Sequence, residues 1–251
     1  MYIYKEIKKY THIKCAFFSR KNGVSKNIYN SLNCSIGSKD KKNNVYKNRL
    51  IALKKIGLEK KKLIIPNQTH SNKIKIVNTS SVNKKIIADG LLTKSNKIVL
   101  GILTADCAPV FFFDMRKKII CNVHAGWKGA KSGILENSIK LMLECGSNLN
   151  NIISCIGPCI GKNSYTVKND FFKRIMNENK ENKKFFTKKN KKISFDLKSY
   201  ITKKIKNCGV KNIISKSFDT YEDENNFFSY RRSKKNNEKD YGRCLSIISI
   251  N

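Results

Sequence analysis

KIVLGILTADCAPVFFFDMRKKIICNVHAGWKG, residues Lys97–Gly129, is the part of this sequence that says most about its architecture. Lys97–Thr104, Pro109–Asp114 and Lys118–His124 are apolar runs of strand length, rich in Ile, Val and Phe. The links between them are short, which predicts hairpins and a sheet that is mixed rather than purely parallel. Beyond them, Lys131–Cys145 carries Ile134, Leu135, Ile139, Met142 and Leu143 near the helical period, and Gly146 supplies a stop. Ile152–Gly157 reads as another buried strand. Leu197–Cys208 reads as a second helix, with Asp196 as N-cap and Gly209 as its end. Val210–Lys216 and Cys244–Ile250 read as strands. Lys39–Asn44, Asn177–Lys184 and Lys188–Lys192 read as solvated loops or helix faces. No internal repeat is visible. The pattern predicts an α/β (α+β) fold, one domain over residues 1–251, with mixed β-sheets flanked by helices.

With 251 residues the chain can bury a substantial core. No apolar run reaches membrane-span length, and MYIYKEIKKY lacks the apolar centre of a signal peptide, so the expected location is cytoplasmic. The nine cysteines are irregularly spaced and odd in number. In a reducing compartment they are expected to remain free thiols, mostly small buried side chains. The net charge of +34 comes from 52 Lys and Arg against 18 Asp and Glu. That excess is mainly Lys, spread along the whole chain among Asn, Ile and Phe. There is no basic helix, no aromatic–basic interleaving and no zinc-finger spacing, so no specific nucleic-acid partner is expected. Weak, salt-sensitive adhesion to polyanions is expected of any chain so charged.

Against this Lys-rich background, scarce residues stand out. There are three His, one Trp and three Pro. Most fall in short islands: IPNQTHS (Ile65–Ser71), TADCAP (Thr104–Pro109), VHAGWKG (Val123–Gly129), IGPCIG (Ile156–Gly161), and FFSYRR with YGR ending at Arg243. A composition that favours Lys leaves Arg where a planar fork is needed to grip phosphate or carboxylate. Arg116 and Arg174 lie outside the islands and read as ordinary surface residues. His70, Cys107 and His124 each adjoin a predicted strand end or turn. Two imidazoles and a thiolate suit Zn²⁺, and three protein ligands leave the fourth tetrahedral position open, the catalytic arrangement. On spacing alone, a core histidine and a buried thiol fit equally well.

Taken together, these islands resemble the YfiH-like family, also called laccase-domain or polyphenol-oxidase-like proteins and described as purine nucleoside phosphorylases. The resemblance runs from about residue 15 to the C-terminus. It is carried by FFSRKNGVSKNIYNSLN (Phe17–Asn33) with Asn48–Arg49, NQTHS, ADGLLT (Ala88–Thr93), TADCAP, HAGWKG, IGPCIGKNSYTV (Ile156–Val167) and FFSYRR…YGR. It implies an α/β fold with mixed sheets and a mononuclear metal on His70, Cys107 and His124. It also implies phosphorolysis of adenosine, inosine and S-methyl-5′-thioadenosine, with adenosine deamination as a side activity. Two positions depart from the usual family pattern: Lys128 stands where Arg is frequent, and Asp219–Thr220 where a Cys-Thr pair is common.

Phosphorolysis needs a phosphate beside the anomeric carbon and passes through an oxocarbenium-like transition state, as glycoside cleavage does. Arg49, Arg231 and Arg243, with Arg20 behind them, are the candidate phosphate ligands. The Gly126-Trp127-Lys128-Gly129 turn offers backbone amides before a helix, and Trp127 a surface on which a purine can stack. Asp106, Asp89 and Gln68 are the candidate catalytic groups, the two carboxylates as proton handlers or as supports of the ligands. A zinc ion can polarise a substrate oxygen or supply hydroxide at neutral pH, and copper is the alternative metal. The competing readings are a metal-dependent hydrolase editing peptidoglycan precursors, a copper-dependent phenol oxidase and a non-catalytic basic binding protein. A multicopper cluster needs many imidazoles, and the chain has three His. The oligomeric state is left open.

Overall fold

A computed structural model describes all residues, 1–251. Four layers stack in the order helix, sheet, sheet, helices. The first sheet has four strands in the order β1-β13-β5-β2, namely β1 (Ile13–Phe17), β13 (Cys244–Ile250), β5 (Ile98–Thr104) and β2 (Lys62–Ile64). The second has six, in the order β12-β8-β6-β7-β4-β3: β12 (Asn212–Ser215), β8 (Ile152–Ile156), β6 (Ala108–Asp114), β7 (Ile120–Ala125), β4 (Gly90–Thr93) and β3 (Ile74–Ile76). Both sheets are mixed: β2 runs parallel to β5, β12 to β8 and β3 to β4, while the remaining pairs are antiparallel.

Alternation along each strand explains the layering. Phe111 and Phe113 of β6 face the first sheet and meet Phe17, Leu100, Ile248 and Ile250 there. Val110 and Phe112 face the other way, into a helical layer. Every residue of β6 is therefore buried, and each Phe removed from water stabilises the fold by ~1.5–3 kcal/mol. The far side of the six-stranded sheet is covered by α3 (Ile134–Glu144) and α5 (Leu197–Asn207). The far side of the four-stranded sheet is covered by α1 (Lys42–Lys55), through Ala52 and Leu53 against Val99, Leu245 and Ile247. A small antiparallel sheet of β10 (Phe186–Lys189), β11 (Lys192–Phe195) and β9 (Thr166–Val167), with α4 (Asn169–Met176), packs at one end of the helical layer.

Three sequence expectations change. The link between β5 and β6 is not a hairpin: β5 belongs to the four-stranded sheet and β6 to the six-stranded one. Residues 105–107 carry the chain from one sheet to the other, with Asp106 at φ +85°. Both strands are apolar on two faces, and separate sheets give each face its own cover. The link after β6 is the expected hairpin to β7. The helix expected over Lys131–Cys145 is preceded by a single turn, α2 (Trp127–Lys131), and broken by Gly133 at φ +93°. A left-handed residue cannot continue a helix, and glycine adopts that conformation without steric cost. Lys188–Lys192 is not a loop but the tip of the β10–β11 hairpin, turning at Asn190 and Lys191. Asp196 caps α5 as expected, its carboxylate accepting the Ser199 amide hydrogen, and Gly209 at φ +87° follows the helix. All nine cysteines are free. No helix is long and apolar enough to cross a membrane.

Candidate metal centre and adjoining cleft

The sheet crossing puts Cys107 at the rim between the two sheets, just ahead of β6. His124 lies near the end of β7, opposite Pro109 in the β6–β7 ladder. His70 comes from the loop ahead of β3, where its backbone takes the left-handed conformation at φ +60°. Their ligating atoms all lie within 4.8 Å of one another, and Cys107 Sγ is 3.9 Å from His70 Nε2. A tetrahedral zinc with ordinary bond lengths sets such donors about 3.3–3.6 Å apart, so the widest pair must draw together by roughly 1 Å to hold it. His124 is buried, Cys107 partly covered and His70 exposed, which leaves one side of the cluster open.

Asp89, at the start of β4 and fully buried, organises this cluster. Its Oδ1 lies 2.8 Å from His124 Nδ1 and accepts the His70 amide hydrogen at 2.9 Å. Its Oδ2 accepts from the Ser71 amide and hydroxyl and from the Thr69 amide. Burial opposes its ionisation, yet the bonds from His124 and Ser71 outweigh that and hold the carboxyl well below the usual carboxylate range. With His124 Nδ1 turned to Asp89, Nε2 is left for a metal. Burial pushes the Cys107 thiol up, but His124 and His70 bring it down to about 7. Burial works the opposite way on His124, and Cys107 with Asp89 raises it to about 9. An ionisable thiol and two imidazoles thus converge on one point. The donor set therefore fits a borderline-soft divalent metal.

Gly126 closes the other side. A Cβ there would lie 2.8 Å from Cys107 Sγ and 3.3 Å from His70 Cδ2, so only glycine lets α2 start this close. The next residue, Trp127, is half-buried, and its ring lies 4.7 Å from that of Phe171 on α4. Trp127, Tyr165, Thr166, Val167, Lys168, Asp170, Phe171, Arg174 and Arg231 line an open cleft of about 590 Å³. Its nearness to the cluster shows in Tyr165, whose phenol is pushed up by burial and then by the charge of Cys107.

Of the candidate arginines, Arg231 lines this cleft and Arg20, Arg49 and Arg243 do not. Arg231 donates through Nη1 to the Thr166 carbonyl and hydroxyl, and its guanidinium sits 5.3 Å above the Tyr165 ring. Arg20 donates to the carbonyls of Asn30 and Glu224 and packs over Phe228. Arg49 donates to the Cys34 carbonyl, and Arg243 to the Ser35 hydroxyl beside the Tyr241 ring. Lys128 is exposed, 5.9 Å from the Trp127 ring.

Asp106 is buried and accepts from the Thr220 and Ser229 hydroxyls and the Arg231 amide. Burial raises its pKa against those bonds. Its carboxylate thus ties the Cys107 loop to Ser229, which caps the short helix α6 (Tyr230–Lys235) bearing Arg231. Gln68 pairs both ends of its amide with the Leu103 backbone, clasping the His70 loop to β5. Sequence reasoning did not single out Tyr165 or Phe171 and read Arg174 as a surface residue; all three line the cleft, with Arg174 exposed. Tyr165 lay inside the string Ile156–Val167 that carries the family resemblance, but nothing local distinguishes Phe171 and Arg174, which enter the cleft only through the packing of α4.

Fold and site define a mixed α/β protein with a rim-mounted His–Cys–His cluster that could hold a metal ion. Residues 14–251 match the family described as multi-copper polyphenol oxidoreductase laccase, and the chain belongs to that family. It is similar to a Rickettsia conorii protein named purine nucleoside phosphorylase, at 35% identity over 189 residues, 74% of this chain and 77% of the relative. A Haemophilus influenzae protein of the same name is 30% identical over 234 residues, 92% of this chain and 91% of that one. The crystal structure of the hypothetical protein YfiH from Bacillus licheniformis superposes with a TM-score of 0.90 at 28% identity, covering 98% of this chain and 95% of the other.

Proposed function

We propose that this chain is a zinc-dependent purine nucleoside phosphorylase acting on adenosine, inosine and S-methyl-5′-thioadenosine, with adenosine deamination as a side activity, and that residues 1–251 work as one domain. The observation that carries this reading is the junction of the His70, Cys107, His124 cluster with an aromatic and cationic cleft through the consecutive residues Gly126 and Trp127. The names of the relatives point the same way. A purine would stack against Trp127 and Phe171. Arg231 would hold phosphate, its guanidinium already oriented by Thr166 and Tyr165. A phosphate oxygen would bond to the anomeric carbon as the bond to the purine nitrogen breaks; the purine leaves with the electron pair and takes up the proton that phosphate gives up, yielding free base and ribose 1-phosphate, or the 5-methylthioribose 1-phosphate from S-methyl-5′-thioadenosine. His70, Cys107 and His124 would hold the metal, and Asp89 would orient His124. When bound, zinc supplies Lewis acidity at the open side of the cluster. Asp106 and Gln68 would serve as positioning residues, since their polar atoms are taken up by the fold.

Phenol oxidation by a multicopper cluster is poorly served by two clustered imidazoles in a chain with three His. The test is to incubate metal-analysed protein with each nucleoside, with and without phosphate, and to follow free base and the corresponding sugar 1-phosphate. Base release that needs phosphate and is lost in His124→Ala is expected. Zinc-loaded protein that turns over no purine would overturn the reading and favour peptidoglycan-precursor hydrolysis.

A further inference from the structure

The cleft contains more positive charge than Arg231 alone accounts for. Arg174 and Lys168 also line it, against the single carboxylate of Asp170. None of the four takes part in an ion pair of the chain. Arg174 follows Phe171 by three residues on α4, which puts the two side chains on one helix face. Phe171 is the residue that meets Trp127. The spacing therefore brings an unengaged guanidinium beside the aromatic floor. Arg231 already spends Nη1 on Thr166, which leaves its Nε and Nη2 for a ligand. Two forked donors at one aromatic surface match a tetrahedral dianion better than a neutral sugar or base.

We propose that Arg174, together with Arg231, forms the seat for a phosphate group in this cleft, so that Arg174 is a substrate-binding residue. The inference rests on the phosphorylase reading for its role in turnover, and on the cleft itself for binding. Lys168 adds positive charge to the cleft, and Asp170 is its one carboxylate.

Trp127 is the only tryptophan of the chain, so fluorescence excited at the red edge of the tryptophan band, where tyrosine does not absorb, reports on this cleft. The whole protein is titrated with inorganic phosphate or with adenosine 5′-monophosphate at constant ionic strength. Three forms are compared: the natural chain, Arg174→Gln, and Arg116→Gln. Arg116 is exposed in the β6–β7 turn and controls for loss of one positive charge. A saturable change in the natural chain, weakened about fivefold or more in Arg174→Gln and retained in Arg116→Gln, is expected. Saturation by inorganic phosphate identifies the seat with a free co-substrate. Saturation by the nucleotide alone identifies it with a phosphate carried on the substrate. No saturable response to either, or equal weakening in both variants, would overturn the proposal. Arg174 has no acceptor within the fold, and unchanged circular dichroism verifies that its variant folds.

The kinetic arm separates this inference from the functional reading. If purine release needs phosphate but the phosphate KM is the same in Arg174→Gln, the seat is wrong and the phosphorylase reading stands. If phosphate binding is lost in Arg174→Gln yet no purine is turned over, the seat stands and the phosphorylase reading falls. Both stand if phosphate KM rises fivefold or more while nucleoside KM stays within about twofold.

Discussion

Asp89 Oδ1 lies 2.8 Å from His124 Nδ1, and the same carboxylate accepts the backbone amide hydrogen of His70. One buried side chain thus orients the ring of one candidate ligand and the backbone of another. Replacing it with Asn keeps the size but removes the charge and turns one acceptor into a donor. Metal affinity in Asp89→Asn is expected to fall about 10–100-fold, as supporting partners of metal ligands generally do. Competition with a chromogenic chelator measures this. Unchanged affinity would show that Asp89 does not support the centre.

Gly126→Ala tests how tightly the centre is packed. The added methyl would sit 2.8 Å from Cys107 Sγ, too close without displacement of the ligand loop. Purified Gly126→Ala is expected to retain its circular dichroism and to lose most of its bound metal. Gly37→Ala, whose nearest neighbour would be 3.8 Å away, is expected to keep its metal. Equal metal content in the two would contradict this geometry.

Thiol chemistry should single out Cys107 in metal-free protein. Burial pushes Cys15, Cys34, Cys121 and Cys159 up to about 12, whereas the two histidines hold Cys107 at about 7. At pH 7.5 Cys107 is substantially thiolate, and those four remain thiols. Iodoacetamide is expected to label Cys107 ahead of them, and added Zn²⁺ to protect it. Peptide mass spectrometry reads both. Labelling indifferent to zinc would argue that the thiol is not a ligand.

Lys204 ties α5 to α3 and to the segment after α4. Its Nζ lies 2.8 Å from Glu136 and 2.7 Å from Glu178. Burial lowers its pKa, but the two carboxylates outweigh burial and raise it. A raised folded value means stability that is complete below the unfolded lysine pKa of about 10.4 and is lost as pH climbs through the folded value. Lys204→Met leaves two partly exposed carboxylates unpaired and should cost about 1–3 kcal/mol near neutrality, less than a fully buried pair would. Urea midpoints of the two proteins are expected to differ steadily from pH 7 to pH 9 and to converge above about pH 10.5. A gap that does not depend on pH would assign the loss to packing alone.

Much of this protein was legible before its structure. The terminal strand Cys244–Ile250, the capped helix after Asp196 and the β6–β7 hairpin follow from period, caps and link length, which are local properties. The three candidate ligands stood out because His is scarce in a Lys-rich chain, and because the islands around them resemble those of a family to which the chain belongs. The crossing of β5 and β6 between sheets was not legible. A short link between apolar strands reads the same whether the strands pair with each other or with β13 and β8. The cleft was hidden for a related reason. Trp127, Tyr165, Phe171, Arg174 and Arg231 span more than a hundred residues, and α4 carries two of them there only by packing. Sequence by itself determined the chemistry available to this protein, namely which imidazoles, thiol and guanidinium groups it owns. Tertiary structure decided which of them meet, because contact between distant residues depends on how whole faces are buried and not on the identity of any one residue.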